Sequence, residues 1–125
     1  MSVRGAQVRI TEVLTSWPGV TARLHHFPGT VRQDRCGGVE YVIGKREIGH
    51  VHGDHLVDIP FPKKVRDEIV AAGRAQPHHI LPETGWVSFY LRQESDVEQA
   101  IALLKESYEI AIKQKSKTIE VNDEQ

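Results

Sequence analysis

The chain has 125 residues, 39% hydrophobic and 26% charged, which is the size and composition of one folded domain with its own core. Sixteen Lys and Arg against seventeen Asp and Glu leave a net charge of −1, which excludes a global positive field for nucleic acid or anionic lipid. The single Cys36 excludes an intramolecular disulfide, no apolar run approaches the ~20 residues of a membrane span, and no signal-peptide pattern opens the chain, so the expected compartment is the cytoplasm.

Taken in order, Ala6 to Ser16 places Val8, Ile10, Val13 and Leu14 at helical spacing, and Trp17-Pro18-Gly19 ends the run with a turn. Val20 to Phe27 is rich in β-branched and aromatic residues and reads as a strand bounded by Pro28-Gly29. After a polar stretch to Cys36, Val39 to Ile43 forms a second strand that turns at Gly44-Lys45 into a third. Pro60-Phe61-Pro62 closes a fourth strand and opens a helix over Lys63 to Ala72, with Gly73 just past its end. A Pro-bracketed loop, Ala75 to Pro82, leads to a strand over Trp86 to Leu91. Ser95-Asp-Val-Glu98 has the pattern of a capping box for a last helix, whose stripe runs through Val97, Ile101, Leu104 and Tyr108. From Lys113 the apolar pattern lapses, so residues 1–112 are expected to form a single domain and residues 113–125 a flexible, solvated tail. The fold class is α+β, a mainly antiparallel sheet of about five strands with helices packed on one face.

The stretch Arg46 to Pro62 carries His50, His52 and His55 around Gly53-Asp54. An uninterrupted hairpin register pairs Tyr41 with Ile48 and Val39 with His50, and a two-residue turn sets His52 across from His55 and His50 across from Val57. One face then collects Val39, Tyr41, Ile43, Ile48, Val57 and Ile59, with the histidines near its end. The other carries Glu40, Glu47 and Asp58 beside Val42, Val51 and Leu56 and is the wetter one. Neutral imidazoles at adjacent strand positions are suitable ligands for zinc or another divalent metal, so His50, His52 and His55 form the candidate metal set. The plainer alternative is a polar rim of the core with His55 solvated at the turn. His79, in the Pro-bracketed loop, is a candidate to complete a site, Arg35 and Arg46 could clamp an anionic ligand, and Trp86 offers a ring for stacking.

Arg35-Cys-Gly-Gly-Val-Glu40, Arg46-Glu-Ile-Gly-His-Val-His52, Asp58-Ile-Pro-Phe-Pro62, Pro77-His-His79, Gly85-Trp-Val-Ser-Phe89 and Ser107-Tyr108 together resemble the luciferase-domain family of small proteins, over most of residues 5 to 112. The second half alone is also similar to the YjbR-type fold. A chain this short is not similar to the large flavin-dependent barrel of bacterial luciferases, so the resemblance does not bring that chemistry with it. The expected function is binding of a small ligand or divalent metal at a histidine-rich pocket, with no reaction named by any catalytic motif. The rival expectation is a non-catalytic module that binds protein or nucleic acid through its sheet, of which nucleic acid is disfavoured by the near-neutral charge. No membrane partner is expected, and the sequence assigns no oligomeric state.

Overall fold

The computed structural model describes residues 2–25 and 38–123, with side chains up to residue 24 and from residue 38 to 114. Arg35 and Cys36 lie outside the described residues. The elements run α1 (Ala6–Thr15), β1 (Val20–His25), β2 (Gly38–Ile43), β3 (Arg46–His52), β4 (Leu56–Pro60), α2 (Lys63–Ala71), β5 (Gln76–Pro77), β6 (Trp86–Tyr90) and α3 (Glu94–Asp123). The strands form one antiparallel sheet in the order β1-β2-β3-β4-β6-β5, one strand more than the expected five because Gln76 and Pro77 pair with Ser88 and Val87.

The α+β arrangement holds, with α1 over β1 and β2, α3 over β3 and β4, and α2 against β6. Ile10, Leu14, Leu103 and Leu104 from the helices meet Tyr41, Val57, Ile59 and Val87 from the sheet in a continuous core. Three contacts fix the helices on this face. Thr11 Oγ1 lies 2.7 Å from Tyr41 Oη, Ser107 Oγ donates to Pro60 O, and Tyr108 Oη donates to Pro18 O.

The β2–β3 pairing departs from the ideal hairpin in a way that matters for function. Ile43 pairs with Arg46 and Val42 with Glu47, but Tyr41 pairs with Gly49, leaving Ile48 as the extra residue of a β-bulge. Ile48 and Gly49 both lie on the core side, where a Cβ on Gly49 would sit 2.4 Å from Leu104 Cδ2 and 3.2 Å from Asp58 O. Beyond the bulge Val51 pairs with Val39 and enters the core, while His50 and His52 pass to the face of Glu40, Val42 and Glu47. The turn is also one residue longer than expected, so His52 pairs with Leu56, Val51 with Val57 and His50 with Asp58. The two one-residue shifts cancel along β4. Val57 and Ile59 stay in the core as expected, and only the residues of β3 after the bulge change faces.

The longer turn has a second use. Asp54 accepts the N–H of Gly5 through Oδ2 (3.2 Å) and that of Gln7 through Oδ1 (2.9 Å), while its carbonyl accepts the N–H of Val3. Gly5, the N-cap of α1, has no side chain to do this, so the β3–β4 turn caps the helix from 49 residues away. Asp54→Ala is expected to lower stability by about 1 kcal/mol and the melting temperature by roughly 3–5 °C, and Asp54→Asn by less, as thermal denaturation followed by circular dichroism would measure.

At the other helix, Asp96 rather than the expected Ser95 caps. Its Oδ2 accepts the N–H groups of Arg92 and Gln93, and α3 begins two residues earlier, at Glu94. The α3 backbone stays helical through Asp123, past the point at Lys113 where the apolar pattern lapses.

Candidate functional site

On the sheet face opposite α1 and α3, Asp58 occupies the middle of the central strand β4, flanked by His50 on β3 and Ser88 on β6. A carboxylate in such a position, fully buried at 0% exposure, requires compensating partners. Ser88 Oγ donates to Oδ1 at 2.8 Å, which fixes the carboxylate plane and aims Oδ2 along the sheet surface. Four imidazole Nε2 atoms converge on that oxygen: His52 at 2.8 Å, His79 at 3.2 Å, and His50 and His78 at 3.3 Å.

Local structure explains each ring. His50 and His52 are two apart on one strand and share a face, with ring centroids 4.8 Å apart in an edge-to-face arrangement. His78 and His79 follow β5 and stack on each other at 4.4 Å. The turn they begin folds back over the sheet, because His78 Nδ1 accepts the N–H groups of Ile80 (3.1 Å) and Leu81 (3.0 Å), and His79 N donates to Ser88 Oγ. With two donors on Nδ1, His78 carries its proton on Nε2, facing Asp58. Burial pushes the His78 pKa down despite the pull of Asp58, which agrees with a neutral ring.

His50 is held differently. Its Nδ1 lies 2.6 Å from Glu47 Oε2, one turn of strand behind it. Burial alone would depress its pKa, but hydrogen bonds to Asp58 and Glu47 and their charges outweigh that and push it up to about 9. Asp58 shows the reverse balance. Burial favours its neutral form, yet the bonds from His50, His52 and Ser88 and the charge of His78 hold its carboxyl well below the usual carboxylate range.

These shifts give a pH dependence for the metal-free protein. His50, with its folded pKa raised, contributes stability that is fully present below its unfolded value of about 6.5 and lost as pH rises through about 9. His78 and Asp58, both depressed in the folded state, contribute stability that is lost as pH falls, His78 first and Asp58 at lower pH. Stability is therefore expected to peak near about pH 6.5. Denaturant midpoints after chelator treatment, taken at about pH 5, 6.5 and 9, check this, and a midpoint that climbs steadily to about pH 9 contradicts it.

A cavity of ≈310 Å³ opens over the cluster, and Trp86, Ile80 and Leu81 supply the rest of its lining. The Trp86 ring stands 5.2 Å from that of His50. A larger concavity of ≈680 Å³ runs past the end of β5, between Arg74, Gln76, Tyr90 and Gln99. Its charged groups are engaged with other side chains and with backbone, Arg74 with Glu106, Arg92 over Tyr90 and Asp96 as the α3 cap. The convergent chemistry belongs to the smaller cavity.

Of the residues singled out from sequence, His50, His52, His79 and Trp86 come together here. His55 does not: it is exposed on the three-residue turn, beside Gly53. Arg46 sits at the start of β3 and bonds Gln114 of α3, away from the cavity. Arg35 lies outside the described residues. Sequence reasoning assigned Asp58 and Glu47 to a wet face and Ser88 to no role, although a charged residue inside the apolar strand Leu56-Val-Asp-Ile59 was the available signal.

Two overlapping sets have ligand atoms within 4.8 Å of one another, His50, His52 and Asp58, and Asp58, His78 and His79. The luciferase-domain family model matches residues 45–107. No curated protein and no solved structure matches the chain. The matched span includes the whole cluster from Glu47 to Ser88, together with the hairpin and loop that position it, and the chain belongs to the luciferase-domain family.

Proposed function

We propose that this luciferase-domain chain binds one late first-row divalent cation, zinc or a neighbouring ion, through Asp58, His50, His52 and His79, and uses it to hold a small molecule in the adjoining cavity. The observation that carries this reading is the convergence of four Nε2 atoms on Asp58 Oδ2 at 2.8–3.3 Å. A carboxylate oxygen has about two lone-pair directions, so four ring nitrogens exceed what it can accept as hydrogen bonds. Metal–ligand bonds of about 2.1 Å place neighbouring ligand atoms about 3.0–3.4 Å apart, close to the spacing seen.

The surroundings support the same reading. Glu47 behind His50 is the carboxylate–histidine arrangement that orients a metal-binding ring, with Nε2 turned toward Asp58 Oδ2. His78 fits the role of donor to Asp58, because its Nδ1 is already an acceptor for two backbone N–H groups. Mixed imidazole and carboxylate ligands without a thiolate suit zinc or iron. A module binding protein or nucleic acid through its sheet has less support, since one face lies under α1 and α3 and the other carries the cluster.

Elemental analysis of full-length protein purified without a histidine tag tests the proposal. About one equivalent of zinc or iron is expected, restored after chelation by the metal alone. Protein that takes up neither zinc nor iron(II) at neutral pH, with excess removed by gel filtration, overturns it.

A further inference from the structure

The loop beside the cluster places apolar surface where a metal site would need none. Ile80 is 70% and Leu81 49% exposed, yet their backbone is well anchored. Both N–H groups go to His78 Nδ1, Leu81 O accepts from Thr84 N and Oγ1, and Arg66 reaches Pro82 O. Two aliphatic side chains are thus held in water at a cavity that Trp86 also lines. Left exposed, such groups contribute nothing on folding, whereas a ligand that covers them gains by removing their apolar area from water.

Charge narrows the occupant. Among the described residues no Lys or Arg lines this cavity. A ligand arriving there meets the carboxylates of Asp58 and Glu47, no Lys or Arg side chain and a hydrocarbon wall, which disfavours phosphate esters and polyanions. The cavity, ≈310 Å³, is at the small end for ligand pockets and suits one or two rings.

We infer that the site takes a small aromatic molecule that offers one oxygen-donor group, a carboxylate or carbonyl, to the cation and lays its ring against the apolar lining of Trp86, Ile80 and Leu81. This rests on the metal reading above.

Cobalt(II)-loaded full-length protein separates the two. Cobalt uptake is measured first by elemental analysis, then benzoate, acetate and inorganic phosphate are titrated against the visible cobalt bands. Benzoate and acetate share a donor group and differ only in the ring. Benzoate is expected to bind at least about tenfold more tightly than acetate, and phosphate no better than acetate. Ile80→Ser and Leu81→Ser, both at exposed positions, should keep full cobalt uptake and acetate affinity while each lowers benzoate affinity about three- to tenfold. Equal affinity for benzoate and acetate, or phosphate as the tightest ligand, overturns this inference and leaves the metal reading standing. Benzoate binding untouched by both serine variants also overturns it. Failure to take up cobalt or zinc at all overturns both.

Discussion

Asp58→Asn is expected to lower zinc affinity by at least about 100-fold and to cost the metal-free protein about 2–4 kcal/mol. The substitution keeps shape and removes charge from the one atom on which the four imidazoles converge. An amide in its place presents either a weaker acceptor or an NH₂ group that opposes the ring donors. His50 loses one of the two anions that hold it protonated, so its pKa, pushed up to about 9, should fall toward the ordinary histidine value. Competition against a chromophoric chelator reads the affinity, urea unfolding of chelator-treated protein reads the stability, and proton NMR of the imidazole resonances reads the pKa. Glu47→Gln provides the contrast, because it touches only the far side of the His50 ring and should lower zinc affinity about 10- to 100-fold with a smaller stability loss. An Asp58→Asn protein that binds zinc like its parent would mean the cluster is a buried polar network and nothing more.

The same residue shows where reading the chain from sequence succeeds and where it stops. Element types follow from periodicity and punctuation: the Ile10 and Leu14 helix, the Pro62-to-Gly73 helix and the Val97-to-Tyr108 stripe all lie where their apolar spacing puts them. Register is harder, since it depends on a choice between near-degenerate pairings one residue apart. Here the choice turns on Ile48-Gly49. A bulge there brings Gly49 up to Leu104, buries Ile48 and turns Val51 into the core, where it is fully buried. That gain arises from tertiary packing with α3, about 55 residues on, and no local pattern encodes it. The site inherits the difficulty. His50 and His52 are legible as a pair because period-2 alternation survives any register, whereas their partner Asp58 becomes visible only once the bulge and the longer turn have placed it opposite His50. His79 was legible as a loop candidate, but that its ring reaches Asp58 depends on the His78 Nδ1 turn, which spacing alone does not predict.

A large purely structural effect is expected at Gly85, where the turn that carries Ile80 and Leu81 enters β6. A Cβ there would lie 2.0 Å from Phe61 O and 3.2 Å from Phe61 C, and the contact is with backbone, which cannot rotate away. Phe61 N donates to Gly85 O, Pro60 pairs with Trp86, and Ser107 Oγ donates to Pro60 O, so the same few ångströms join β4, β6 and α3. The Pro60-Phe61 and Gly85-Trp86 pairs that carried part of the family resemblance are therefore in contact with each other. Gly85→Ala should force these backbones apart, breaking the Phe61–Gly85 bond and loosening the buried Phe61 ring. The expected loss is about 3 kcal/mol or more, with a melting temperature lower by roughly 10 °C or more. Because Trp86 follows directly, the cavity wall should shift as well, and zinc-loaded Gly85→Ala protein should bind benzoate more weakly even where it remains folded. Thr84→Ala serves as the control within the same turn. It removes the hydroxyl that bonds Leu81 O and Trp86 N but adds no atom, so its cost should stay near about 1 kcal/mol. Should the two variants melt together, close backbone approach is not what Gly85 provides, and the β4–β6 junction must accommodate a side chain by moving the turn instead of the strands.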